Sequence, residues 1–240
     1  MKKQVVLSVV ALTVCVTILS ACGTKSNVEG ASSAQEKSAI EVSVKDGTAE
    51  LLSTAKQLKE AADSGDQAKI KEVGPELEEV WATFEDGVKP KYPDLYDQIE
   101  KSLNPAVAAT KAATIDKEAV LKIDEQLIQT LFELSAKLIP AEEIKAGSNQ
   151  MLTTTGQIKN EIAAGNDAKV KELVQTLEDN WKTFEDGVPP HSTELYEEIE
   201  ESLNPEVAGS QKSPIDKQVL TGLNDQLTKA LNELVQHIEK

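Results

Sequence analysis

From about residue 48 onward, apolar residues recur every three to four positions and polar residues fill the gaps, the signature of amphipathic helices. A first helix is expected to start near Thr48 as its N-cap, to bury Leu51, Leu52, Ala55, Leu58 and Ala62, and to stop at Ser64-Gly65. Asp66 is placed to cap a second helix, whose stripe runs through Ile70, Val73, Leu77, Trp81, Phe84 and Val88, with Gly87 as its stop. A third begins at Pro93, since proline tolerates the first helical position, where its missing N–H would have no partner. It turns Leu95, Tyr96, Ile99 and Leu103 inward until Asn104-Pro105 breaks or kinks it. A fourth, capped by Asp116, carries Val120, Ile123, Leu127, Leu131, Leu134 and Leu138. Four such stripes close into a four-helix bundle.

The same pattern then returns. WATFEDGVKPKYPDLYDQIEKSLNP from Trp81 to Pro105 is matched by WKTFEDGVPPHSTELYEEIEESLNP from Trp181 to Pro205, an offset of 181 − 81 = 100 residues. In that register residues 51–140 align on 151–240 without a gap, with roughly 36 identities in about 90 positions. The second copy repeats the stripes: Val170, Leu173, Leu177, Trp181, Phe184 and Val188, then Leu195, Tyr196, Ile199 and Leu203, then Leu220 to Ile238. The expected class is all-α, two tandem four-helix-bundle repeats at 48–140 and 141–240, with the boundary between Pro140 and Gly147. Each repeat carries its own four stripes and is expected to fold alone.

The start of the chain is different. Met1, Lys2 and Lys3 precede an uncharged apolar run from Val5 to Ile18, and then Leu19-Ser20-Ala21-Cys22. The run is short for a membrane span, and small residues before a cysteine form a lipobox, so residues 1–21 read as a signal peptide and Cys22 as the lipidated N-terminus. Acyl chains on Cys22, palmitate among them, would anchor the chain on the extracytoplasmic face of the cell membrane. Cys15 leaves with the signal peptide, so thiolate chemistry and disulfides are excluded from the mature chain. Residues 22–47, rich in Ser, Ala and Gly, read as a flexible tether; the alternation from Ile40 to Val44 would be a strand without a partner.

The formal net charge is −16, and loss of Lys2 and Lys3 takes it to 23 − 41 = −18. Such a chain repels nucleic acid and attracts cations. The two histidines, His191 and His237, fall in no metal-binding spacing and are expected at the surface. A phosphate-binding glycine loop, a nucleophile elbow and a Ser/His/Asp set are all missing from the sequence, so catalysis is not expected.

The polar positions kept in both copies are Glu78, Glu85, Asp86 and Glu100, matched by Glu178, Glu185, Asp186 and Glu200, while the loop around them drifts. Counted at 1.5 Å per residue, Glu78 and Glu100 stand roughly 12 and 10 Å from the connecting loop, so a hairpin of the two helices sets them level. Paired carboxylates share a proton or hold a cation; otherwise they are a solvated helix edge. Trp81 and Tyr96, with Trp181 and Tyr196, would wall such a site or serve as core anchors. Glu85 and Glu185 beside the third helix are either ligands or carboxylates pinning the loop to free backbone donors. Two filled pairs would bind two cations per chain.

Trp81-x3-Glu85-Asp86-Gly87-Val88 followed by Tyr96-x2-Ile99-Glu100, with its second copy, resembles the helical extracytoplasmic domain of some bacterial high-affinity iron permease family proteins. The likeness covers each repeat from the second helix to the fourth. The permease's membrane part with its Arg-Glu-x-x-Glu motifs is absent, as is the His-x-x-Glu of imelysin-like iron-uptake proteins. The resemblance implies an accessory component, tethered beside a membrane transporter, that takes iron or another hard cation through carboxylate oxygens. The alternative is an envelope lipoprotein that presents two bundles to a protein partner.

Overall fold

The computed structural model describes residues 29–238, with side chains from Ser43 onward. Cys22 and the signal peptide lie outside the described residues. The described chain is all-α. In order the helices are α1 (Glu29–Ser64), α2 (Gln67–Trp81), α3 (Glu85–Val88), α4 (Pro93–Thr110), α5 (Lys117–Leu138), α6 (Ala141–Ala164), α7 (Asp167–Trp181), a 3-10 turn (Glu185–Gly187), α8 (Thr193–Ser210) and α9 (Lys217–Ile238).

Each half closes in the same way: α1 packs on α2 and α5, α4 packs on α2 and α5, and α6 to α9 repeat those four contacts. Leu51, Leu58, Ile70, Leu77, Ile99, Leu127 and Leu131 belong to one buried cluster, and Ile158, Leu177, Ile199, Leu227 and Leu231 to another. Ile139, just before Pro140, packs into the second cluster.

Local chemistry sets most of the helix ends as expected. Gly65 and Gly165 take φ of 74° and 75°, a left-handed conformation that glycine adopts without steric cost. The Asp66 carboxylate accepts from the Ala68 and Lys69 amides, and Ser192 Oγ from the Leu195 amide.

Three expectations need correction. The first helix does not start at Thr48: α1 runs back to Glu29 through the segment read as a tether and a strand. Val44 is 3% exposed, and Thr48 Oγ1 donates to the Val44 carbonyl from inside the helix, a bond that Ser148 repeats on Ile144. Gly47 lies inside this helix. A Cβ there would stand 2.4 Å from Phe84 Cδ1, and one on Gly147 2.3 Å from Phe184 Cε1, so each glycine admits a phenyl ring against its helix. Gly87 is likewise not the stop of the second helix. α2 ends at Trp81, where the Thr83 hydroxyl folds back onto the Val80 carbonyl, and α7 ends at Trp181 by the same bond from Thr183 to Asn180. Finally, of the break or kink expected at Asn104-Pro105, the break does not occur: Pro105 and Pro205 lie inside α4 and α8, which continue to Thr110 and Ser210.

Candidate functional site at the Trp-Tyr-Glu constellation

Because α2 stops at Trp81, its last side chain is left at the mouth of the bundle, facing the start of α4. Trp81 is 3% exposed; its ring meets Phe84 edge-on at 5.1 Å and Tyr96 at 5.5 Å. A buried indole N–H needs an acceptor. It donates to Glu100 Oε1 at 2.5 Å, while the Asn104 amide, one turn further along α4, donates to Glu100 Oε2 at 2.7 Å. Both oxygens of Glu100 are thus held by neutral donors. The Tyr96 hydroxyl donates to Glu85 Oε2 at 3.0 Å, and this bond raises the phenol's pKa. Lys89 Nζ lies 4.6 Å from the centre of the Tyr96 ring on its face.

The second half rebuilds the clamp. Trp181 Nε1 donates to Glu200 Oε1, Asn204 to Glu200 Oε2 at 2.6 Å, and the Trp181 ring meets Phe184 and Tyr196 at 5.2 and 5.8 Å. The surroundings differ. Asp86 is exposed but Asp186 is buried, because the 3-10 turn packs on α5 of the first half. Burial pushes Glu185 up to about 7, with Asp186 adding to the shift and Lys56 opposing it. Burial also raises Asp186 against the pull of Lys56, and takes the Tyr196 phenol to about 12. Lys56 belongs to α1, in the other half of the chain. Its ammonium donates to Asp186 Oδ1 at 3.3 Å and to the Tyr196 hydroxyl at 3.2 Å.

The pairing expected from helix counting is not what forms. Glu78 is exposed and hydrogen-bonds to Lys111 at 3.5 Å, while Glu178 bonds to Lys182 at 2.6 Å and Gln175 at 3.0 Å. The residues brought together are Trp81, Tyr96, Glu85 and Glu100, and likewise Trp181, Tyr196, Glu185 and Glu200. The Trp81 indole takes Glu100, and Lys111 takes Glu78. Among the described residues no three His, Cys, Asp or Glu side chains converge as a ready ligand set for a metal ion. His191 and His237 are exposed, with the His237 ring 3.0 Å from the His191 carbonyl.

Sequence reading missed Asn104, taken with Pro105 as a helix breaker, although its four-residue spacing from Glu100 is that of helix-face neighbours. It also missed Lys56 and Lys89, which the alignment of the copies sets against Gly156 and Pro189.

With this geometry in view, comparison with known proteins gives one informative likeness. The chain is 30% identical over 125 residues to the iron uptake system component EfeM of Bacillus subtilis (strain 168). That stretch covers 50% of this chain and 32% of EfeM, so the match spans about a third of the relative's length. No family model matches, and no solved structure does. No helix among the described residues is long and apolar enough to cross a membrane.

Proposed function

We propose that this protein is a lipid-anchored accessory component of an iron uptake system, held at the extracytoplasmic face by Cys22 and offering carboxylates to iron or another hard cation beside a membrane transporter. The observation that carries the reading is the likeness to EfeM together with a Trp-Tyr-Glu constellation built in each half. Within it, Glu85 and Glu100 are the best-placed donors: both flank Tyr96, and both are held by neutral hydrogen-bond donors that a cation would displace. Glu185 and Glu200 are their counterparts, and Glu78 and Glu178 would contribute only through outer contacts. Hard oxygen donors suit such an ion. The role proposed is binding and not catalysis.

Titration with ferric citrate, manganese and calcium, followed by tryptophan fluorescence, tests this directly. Saturable quenching that Glu100→Gln removes and 0.5 M salt leaves in place supports a site. Quenching that survives Glu100→Gln and collapses with salt belongs to the diffuse acidic surface. The second reading, in which the chain presents two bundles to an envelope protein, would then take over, in keeping with the lack of a converged ligand set among the described residues. Anchoring has its own test. Cys22→Ala should accumulate as unprocessed precursor, and normal processing and release of that variant would remove the anchor.

A further inference from the structure

The two copies of the constellation differ in what occupies the space beside the tyrosine. In the first, Lys89 reaches over the outer face of Tyr96 from the neighbouring loop, and the Tyr96 hydroxyl is committed to Glu85. In the second, Pro189 stands at the matching position, and the ammonium arrives from a distant segment. Lys56 on α1 extends across the junction between the halves. Its Nζ lies 3.3 Å from Asp186 Oδ1, 3.2 Å from the Tyr196 hydroxyl, 5.4 Å from the centre of the Phe132 ring and 5.5 Å from that of Tyr196. Carboxylate, phenol oxygen and two aromatic faces are the surroundings of a bound cation. The pairing is shielded: the side chains of Lys56 and Asp186 are 36% and 11% exposed. The Asp186 carboxylate and Lys56 also hold each other's charged forms, since the ammonium's affinity for its proton is raised by Asp186, Tyr196 and Glu185 in spite of burial.

The matching position in the second half is Gly156, where an added Cβ would meet nothing within 4 Å. Lys56 bonds to Asp186 and Tyr196 of the other half, so the contact belongs to the junction and not to the bundle as such. We infer that Lys56 is a built-in cation that fills the second copy of the constellation and latches the two bundles together, leaving only the first copy open to an external ion. This rests on the proposed cation-binding role for its consequence at the first copy, but the latch itself stands on the contacts of Lys56.

The test uses the full chain and terbium(III), a hard trivalent ion whose luminescence is sensitised by a nearby indole. The parent is expected to bind one terbium ion per chain, lost in Glu85→Gln. Lys56→Met, which keeps the length and removes the charge, is expected to bind one more, and that additional ion should disappear when Glu185→Gln is added. Lys56→Arg restores a cation and should return the count to the parent's. Lys56→Gln serves as a second neutral variant if the Met variant does not fold. A parent that binds none, with one ion gained on Lys56→Met, upholds the latch and overturns the iron-binding role of the first copy. A parent that already binds at Glu185, a folded Lys56→Met or Lys56→Gln that gains nothing, or a gain indifferent to Glu185→Gln overturns the inference.

Discussion

Asp124 lies in α5 with no exposed surface, and neither of its carboxylate oxygens has a hydrogen-bond partner. The matching residue of the second half is Asn224, whose amide donates to the Thr155 carbonyl at 3.1 Å. Burial pushes the Asp124 carboxyl up from 3.8 to about 8, with Lys59 pulling it down and Glu125 pushing it up. At neutral pH the folded chain therefore holds a proton here that the unfolded chain releases. The sign follows: this group's contribution to stability is full below pH 3.8, declines as pH rises through the window from 3.8 to about 8, and is lost above it. The slope is about 1.4 kcal/mol per pH unit, so three units, from pH 4 to 7, cost about 4 kcal/mol. Asp124→Asn removes the titration and copies the residue the other half already tolerates. Urea unfolding followed by far-UV circular dichroism, at half-unit steps from pH 4 to 9, should show the variant gaining on the parent by about 4 kcal/mol between pH 4 and 7, with the difference flat above pH 8. Parallel stability curves for parent and variant would show that Asp124 is hydrated or paired, and refute the reasoning. Glu206, buried without a partner and raised to about 8, should behave in the same way in Glu206→Gln.

Gly47→Ala adds a methyl where the Phe84 ring already lies, so despite the better helix propensity it should destabilise by about 1 to 3 kcal/mol; an unchanged thermal midpoint would remove the ring contact. Residues 29–138 and 139–240, expressed separately, should each unfold cooperatively, because each holds its own buried cluster and Ile139 goes with the second. If either is unfolded alone, the junction at Lys56 and Asp186 supplies stability that neither core has.

Periodicity located most of the helices and both cores because burial in a bundle depends on one repeating stripe. It failed where a residue type has two uses. Gly47 and Thr48 carry the composition of a turn and cap, yet the glycine is there for Phe84 and the threonine back-bonds within a helix. The signal was present in the alignment of the copies, since Val44, Gly47 and Thr48 match Ile144, Gly147 and Ser148, seven to three residues before the aligned stretch that starts at Leu51. At the site, the identity of the retained residues was legible, but their pairing was not. Depth along a helix follows from counting, whereas which carboxylate an indole captures depends on rotation about the helix axis, and the arrival of Lys56 depends on how two bundles dock.

The differences between the halves show which interactions are interchangeable and which are not. In the first core Gly74 meets Thr110, where an added Cβ would stand 2.0 Å from the hydroxyl oxygen; in the second the same places hold Val174 and Ser210, all four residues buried. One side gained bulk as the other lost a methyl, which is how a close-packed interior accepts change. Asp124, whose oxygens have no partner, gives way to Asn224, whose amide donates to the backbone of Thr155. The clamp of Trp81, Glu100 and Asn104 shows no such exchange, for Trp181, Glu200 and Asn204 repeat it bond for bond. Its bonds tie the end of α2 to the middle of α4, and each member satisfies a group the others would leave unpaired. Tyr96 and Tyr196 sit against identical clamps yet choose different partners, Glu85 in one half and Lys56 in the other. Glu100 is thus both a candidate donor and a member of the clamp, whereas Glu85 bonds only to the tyrosine whose partner varies, so substitution at Glu85 separates binding from folding more cleanly than substitution at Glu100.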